Sequence, residues 1–268
     1  MRDSVPIPGH NSFHLQVGRH VISGVPRTVR LFRSFVILVT AFALLGLCEV
    51  SAQAPAAPAL RFIVVLDAAH GGAESGGQIG DPASQPQLEK SFTLALSVRL
   101  RSLLAARGIS VVTTRESDAA VDPDRRAEIA NRANAQACLS LHASQSGAGV
   151  HIYASSLAPA GPATMVPWKT AQAAWVTRSL ALAGFLNSSL AQAGLTVSLG
   201  RTDLPAINSM ACPALAIEIG KNAQDKSSSG FDDPEYQAHI AQALASAIFE
   251  WKSNGWRASV SPAEAYRP

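Results

Sequence analysis

The chain has 268 residues, 47% of them hydrophobic, which is enough for one well-buried domain and outside the range of a disordered chain. Its formal charge of +3 is concentrated at one end: residues 1–54 hold five Arg, one Asp and one Glu, and the other 214 residues balance 17 basic against 17 acidic side chains. Nucleic-acid binding is thereby ruled out as a leading idea on charge grounds, and two cysteines beyond residue 54 are too few for a disulfide-built scaffold.

In chain order, Arg27, Arg30 and Arg33 precede an unbroken apolar run over 35–48, and Ala52-Gln53-Ala54 follows. This order predicts a secretory signal cleaved after Ala54. At about 1.5 Å per residue the run is too short to span a bilayer core, and Leu47 before Cys48 disfavours a lipid-modified cysteine. The expectation is an exported protein of the periplasm or cell wall, with no stable membrane anchor after cleavage. Residues 55–60 read as a linker, 61–252 as the working domain and 253–268 as a loop-like tail.

Within the domain, Phe-Ile-Val-Val-Leu at 62–66 predicts a buried strand. A helix is expected over 89–107, with Phe92, Leu96, Leu100, Leu103 and Leu104 on one face and Gly108 as its cap. A strand follows at 109–114, then a helix over 123–134 with Asp122 as N-cap and Pro123 at its first position. Strands are expected at 137–141 and 149–153, a long helix at 170–193, a core strand at 214–219 and a closing helix at 234–251. Strands alternating with helices predict an α/β domain with a mainly parallel sheet. Of the two late cysteines, Cys138 lies in an apolar run and is expected to be a buried thiol, with a bridge to Cys212 as the alternative.

Ligands of such sheets bind beyond the carboxyl ends of the strands. His70 follows the first strand, His142 ends the third, Glu218 lies in the last, and Glu89 opens the first helix. Two imidazoles and a carboxylate form a donor set of catalytic zinc sites with an open position. In this reading His70, Glu89 and His142 are the ligands and Glu218 is the base. The ordinary alternative is that each histidine is a hydrogen-bonded structural residue and Glu89 a helix-start carboxylate. His151 is expected to be solvated and His239 to lie on the surface. Gly71-Gly72 and Gly76-Gly77 lack the spacing and the Lys-Ser/Thr of a phosphate loop.

The segments Val-Val-Leu-Asp-Ala-Ala-His-Gly-Gly (64–72), Leu-Glu-Lys (88–90), Thr-Thr-Arg (113–115), Arg126 with Ala130-Asn131, Ser-Leu-His-Ala (140–143) and Pro-Ala-Leu-Ala-Ile-Glu (213–218) together resemble the zinc-dependent N-acetylmuramoyl-L-alanine amidases of the type 3 class, Amidase_3. The resemblance spans about 61–251. It implies a doubly wound six-stranded sheet, Zn²⁺ on His70, Glu89 and His142, catalysis by Glu218, and hydrolysis of the muramoyl–alanine amide of peptidoglycan. Ala69, Glu74-Ser75, Ser144 and the stretch 220–224 depart from the family pattern without removing a ligand or the base. Some relatives carry an inhibitory helix after the fourth strand that places a Glu on the zinc. Residues 154–202 contain no Asp or Glu, so this chain cannot block itself in that way. Met165, Val166, Pro167, Trp168 and Trp175 of that insert are expected to cap the core, with a substrate groove as the alternative. Arg201 is a candidate for gripping a stem-peptide carboxylate, and Asp67 for orienting His70 or its turn. No stretch points to an activator protein. Two other functions fit the same residues: a zinc peptidase on free peptides, and a non-catalytic wall-binding module.

Overall fold

The computed structural model describes residues 61–80, 87–161, 164–223, 230–231 and 233–256. The expected export signal of 1–54, the expected linker 55–60 and the tail beyond residue 256 lie outside them. Among the described residues, eight strands and five α-helices follow in the order β1 (Ile63–Ala68), β2 (Gln78–Ile79), β3 (Gln87–Leu88), α1 (Glu89–Ala106), β4 (Ser110–Thr113), α2 (Pro123–Arg132), β5 (Ala137–Ala148), β6 (Val150–Ser155), α3 (Val176–Gln192), β7 (Val197–Thr202), α4 (Pro205–Asn208), β8 (Ala214–Lys221) and α5 (Pro234–Glu250). Six strands form one sheet in the order β4-β1-β5-β8-β6-β7, and β2 and β3 pair as a separate ribbon. All neighbours in the large sheet are parallel except β6 against β8. The α/β, mainly parallel, six-stranded expectation holds. No helix among the described residues is long and apolar enough to cross a membrane.

The middle strands are apolar because helices cover both faces. Val64, Val65 and Leu66 of β1 are fully buried, as are Leu139 and Leu141 of β5 and Leu215 and Ile217 of β8. Helix α1 seats Phe92, Leu96, Leu100 and Leu104 on one side of the sheet at four-residue spacing. Gly108 ends it with a left-handed φ of +69°, and its N–H reaches Ala105 O at 2.9 Å. Asp122 caps α2 by accepting the Arg125 N–H at 2.9 Å. Ala127, Ala130 and Ile207 pack on the opposite face.

Five expectations are corrected. Cys138 and Cys212 form a disulfide, with Cα atoms 6.3 Å apart. Burial alone could not separate thiol from bridge; the β5–β8 register decides it, setting Cys138 opposite Ala214, two residues past Cys212. The long helix is two pieces, a 3₁₀ segment Trp168–Ala174 and then α3. Buried Gln172 explains the break: its amide donates to Met210 O and Cys212 O, and its carbonyl accepts from Ser179, so tertiary bonds override helical propensity. Met165 and Trp168 of the insert are 97% and 58% exposed, so neither caps the core. Residues 253–256 remain helical, and Trp256 packs edge-on against Phe62 and Trp251. Finally, β5 runs on to Ala148 and the edge strand β7 was not anticipated.

Candidate metal centre and active site

The first strand leaves the sheet at Asp67-Ala68 and turns sharply at His70, a non-glycine residue with φ of +61°. Such a conformation costs about 1 kcal/mol and needs outside support. Two buried arginines supply it. Arg126 donates to Ala68 O and His70 O at 2.6 and 2.8 Å, and Arg115 donates to Ala68 O and Ala69 O at 2.9 and 3.0 Å. The loop then returns through Gly71 and Glu74 to the small ribbon, where Glu89 N–H bonds Gly77 O at 2.9 Å. Helix α1 therefore starts against the His70 turn, and Glu89 is its first residue.

Glu89 is 6% exposed and stands between the two histidines. Its Oε2 is 3.1 Å from His70 Nε2 and its Oε1 is 3.1 Å from His142 Nδ1. The backbone N–H groups of Gly77 and Ala143 donate to the same carboxylate at 3.0 and 3.1 Å. Burial pushes the Glu89 carboxyl upward, but the contact with His142, the two N–H donors and the field of His70 outweigh it and hold the pKa down at about 2. The two imidazole rings are perpendicular with centroids 5.5 Å apart. Ligand atoms of His70, Glu89 and His142 lie within 4.8 Å of one another, which makes this trio a group able to hold a metal ion.

Glu218 joins the trio through strand register. It is paired with His142 across β5 and β8, and with His151 across β8 and β6. Directly paired residues share a sheet face, so Glu218 projects on the same side as His142. An open cleft of about 460 Å³ is lined by His70, Glu89, His142 and Glu218, with Gln78, Ile79 and residues 144–146 along its rim. Among the described residues no hydrogen bond or ion pair engages the Glu218 carboxylate. A larger groove, along α2 beside Asp124, Glu128 and Trp168, contains none of these four groups.

The other anticipated residues fall elsewhere. Arg201 lies on β7, not on a loop, and donates to Ser155 O and Leu157 O at 3.0 and 2.7 Å. It lies three positions after Ser198, the β7 partner of His151, so it faces the other side of the sheet and is not brought to the cleft. Asp67 does not touch His70; its carboxylate bonds Thr114, Arg126 and Ser140. His151 is half-buried, with Nδ1 at 2.6 Å from Ser198 Oγ, and is not solvated as expected. His239 is exposed. Lys169 of the insert pairs with Asp124 at 2.5 Å, which ties the acid-free segment to α2.

Three participants were missed. Glu74 Oε1 sits 3.0 Å from His70 Nδ1, and its position four residues on was the available cue. Ser140 Oγ is 3.3 Å from His142 Nε2, two residues earlier on the same strand face. Gly76, with φ of +68°, lets the loop pass over the trio: a Cβ there would stand 2.6 Å from Glu89 Oε2 and 2.7 Å from His70 Cδ2.

The profile of the N-acetylmuramoyl-L-alanine amidase family, Amidase_3, matches residues 64–250. The N-acetylmuramoyl-L-alanine amidase Rv3717 of Mycobacterium tuberculosis is 29% identical over 221 residues, covering 72% of this chain and 88% of that protein. The catalytic domain of the amidase CwlV from Bacillus (Paenibacillus) polymyxa superposes with a TM-score of 0.57 at 26% identity, covering 72% of this chain and 98% of that one. The apo form of the amidase Ami1 from Mycobacterium abscessus gives a TM-score of 0.55 at 28% identity, covering 71% and 98%.

Proposed function

Because this chain belongs to the Amidase_3 family of N-acetylmuramoyl-L-alanine amidases, we propose that it hydrolyses the amide joining N-acetylmuramic acid to the first L-alanine of peptidoglycan stem peptides, with zinc on His70, Glu89 and His142 and Glu218 as general base. The observation that carries this reading is the convergence of two imidazoles and one ionised, buried carboxylate in a cleft that also receives Glu218.

The donor set fits the ion. Magnesium and calcium favour oxygen-rich shells, whereas two nitrogens and one carboxylate oxygen are a common set for zinc with a position left open. When bound, zinc supplies Lewis acidity and lowers the pKa of a water toward about 7. His70, Glu89 and His142 fix where that chemistry occurs. Glu218, free of protein partners among the described residues, accepts the proton of the attacking water and returns it to the alanine nitrogen as the C–N bond breaks. The products are a lactyl carboxylic acid on the glycan and a peptide with a free alanine amine, which ionise together to carboxylate and ammonium, so atoms and charge balance.

Export is part of the same proposal. The signal-like leader supports it, and so does the Cys138–Cys212 bridge, which persists in oxidising compartments. The test is cleavage of a muramoyl peptide beside the same peptide without the sugar. The amidase releases an alanine-led peptide from the first substrate and leaves the second intact; amino acids released from the second would identify a peptidase.

A further inference from the structure

One chain of hydrogen bonds behind the cleft has no place in the reaction as described, yet it ends on a ligand. Asp67 is 2% exposed, and its Oδ1 accepts from Arg126 Nη1 at 2.6 Å and from Thr114 Oγ1 at 2.7 Å. Its Oδ2 accepts the hydroxyl hydrogen of Ser140 at 2.6 Å. Asp67 and Ser140 are register partners on β1 and β5, so their side chains share a face. Ser140 Oγ is in turn 3.3 Å from His142 Nε2.

Donor counting fixes the direction of the chain. A serine has one hydroxyl hydrogen, and an ionised carboxylate can only accept. With that hydrogen on Asp67, Ser140 Oγ has only lone pairs to offer His142. In the neutral ring, the form that binds a metal, Nε2 must then carry the hydrogen, which leaves the Nδ1 lone pair directed at Glu89, 3.1 Å away. The same count applies to His70: Nδ1 faces the acceptor Glu74, so its Nε2 lone pair also meets Glu89. Two lone pairs facing one carboxylate call for a cation among them; in the metal-free protein, ring protons take that place and, against the effect of burial, hold the Glu89 carboxyl low.

We propose that Ser140 and Asp67, anchored by Arg126, are positioning residues that lock His142 in its Nε2–H tautomer and so present Nδ1 as the metal ligand. Arg126 joins both histidines in one unit, because its Nη2 also holds His70 O at 2.8 Å. Outer partners of this kind set ring orientation and ligand basicity. This inference rests on the reading of the trio as a zinc site.

The test uses the full chain with zinc itself as the probe. Zinc affinity is measured by competition with a chromophoric chelator for the parent, Ser140→Ala and Ser140→Thr, and the His142 tautomer is read by long-range ¹⁵N–¹H NMR of the zinc-loaded protein. Ser140→Ala is expected to lose about 10–100-fold in affinity and to mix its tautomers, while Ser140→Thr, which keeps the hydroxyl, stays near the parent. Parent-like zinc affinity in Ser140→Ala would overturn the proposal and leave the zinc site standing. A parent that takes up no zinc would overturn both. Should Ser140→Ala fail to fold, the parent spectrum decides alone: hydrogen on His142 Nδ1 refutes the chain, and hydrogen on Nε2 supports it.

Discussion

His142 and Glu218 are direct register partners on the adjacent parallel strands β5 and β8. Residues so paired in a packed sheet cannot shift relative to one another without breaking the ladder, which gives the ligand and the base a fixed spacing. Glu218 makes no contact that the metal trio depends on. Glu218→Gln is therefore expected to bind zinc as the parent does and to lose about 10²–10⁴-fold in kcat, the span of a missing general base. Zinc content after gel filtration, measured beside turnover, checks the two halves of that statement separately.

Two glycines with almost the same backbone conformation separate a site effect from a fold effect. Gly76 and Gly108 have φ of +68° and +69°, but a Cβ at Gly108 meets nothing within 4 Å, whereas one at Gly76 meets Glu89 and His70. Gly108→Ala should cost about 1 kcal/mol of stability and leave zinc affinity unchanged. Gly76→Ala carries the same backbone cost and also displaces two ligands, so zinc affinity is expected to fall at least ~10-fold. Chelator competition and urea midpoints on both variants distinguish these outcomes.

The elements that could be read from the sequence are those whose signal is local. Strand β1 announces itself by Val64–Leu66, which is buried on both faces, and α1 by leucines at four-residue spacing. Strand β7 gives no such signal, because Ser198, Leu199 and Arg201 on this sheet edge are exposed and Gly200 interrupts the run. The polar end of β5, Ser144-Gln145-Ser146, is equally silent. In the site, His70 and Glu89 were visible because they sit at element termini, and His142 and Glu218 because they follow the apolar runs 137–141 and 214–217 that the fold class sends to one rim. Their supports were not, since Arg126 reaches Asp67 across 59 positions and Ser140 reaches it across 73. The disulfide could be read only as the alternative to a buried thiol for the same reason: it depends on register, which no local pattern encodes.

The bridge should matter to stability without entering the chemistry. Cys138 and Cys212 are 74 positions apart, a loop for which chain-entropy arguments give up to about 4 kcal/mol. A non-thiol reductant is expected to lower the urea midpoint of the parent and to leave that of a Cys138→Ala/Cys212→Ala variant where it stands. Both proteins should retain stoichiometric zinc.

Alkaline pH offers a test of the packing behind Glu218. Tyr236 is 4% exposed, donates to Gly220 O at 3.0 Å, and burial pushes its phenol from the ordinary value near 10 up to about 12. The folded state thus holds the proton that the unfolded chain gives up first. The stabilisation is complete below pH 10 and declines as the pH rises toward 12, by roughly 2 kcal/mol. Tyr236→Phe should cost about 1 kcal/mol at pH 8 for the lost hydrogen bond and show a smaller fall between pH 8 and pH 11.5. Urea titrations of both proteins at the two pH values measure the difference.

The central claim is that this cleft cleaves one particular bond of peptidoglycan with zinc. Purified peptidoglycan is incubated with the zinc-loaded protein, with a chelated sample and with Glu218→Gln, and the soluble products are analysed by mass spectrometry. The account predicts intact stem peptides bearing a free alanine amine, from the zinc-loaded parent alone. Sugar fragments, single amino acids, or the same peptides from the chelated sample would contradict it.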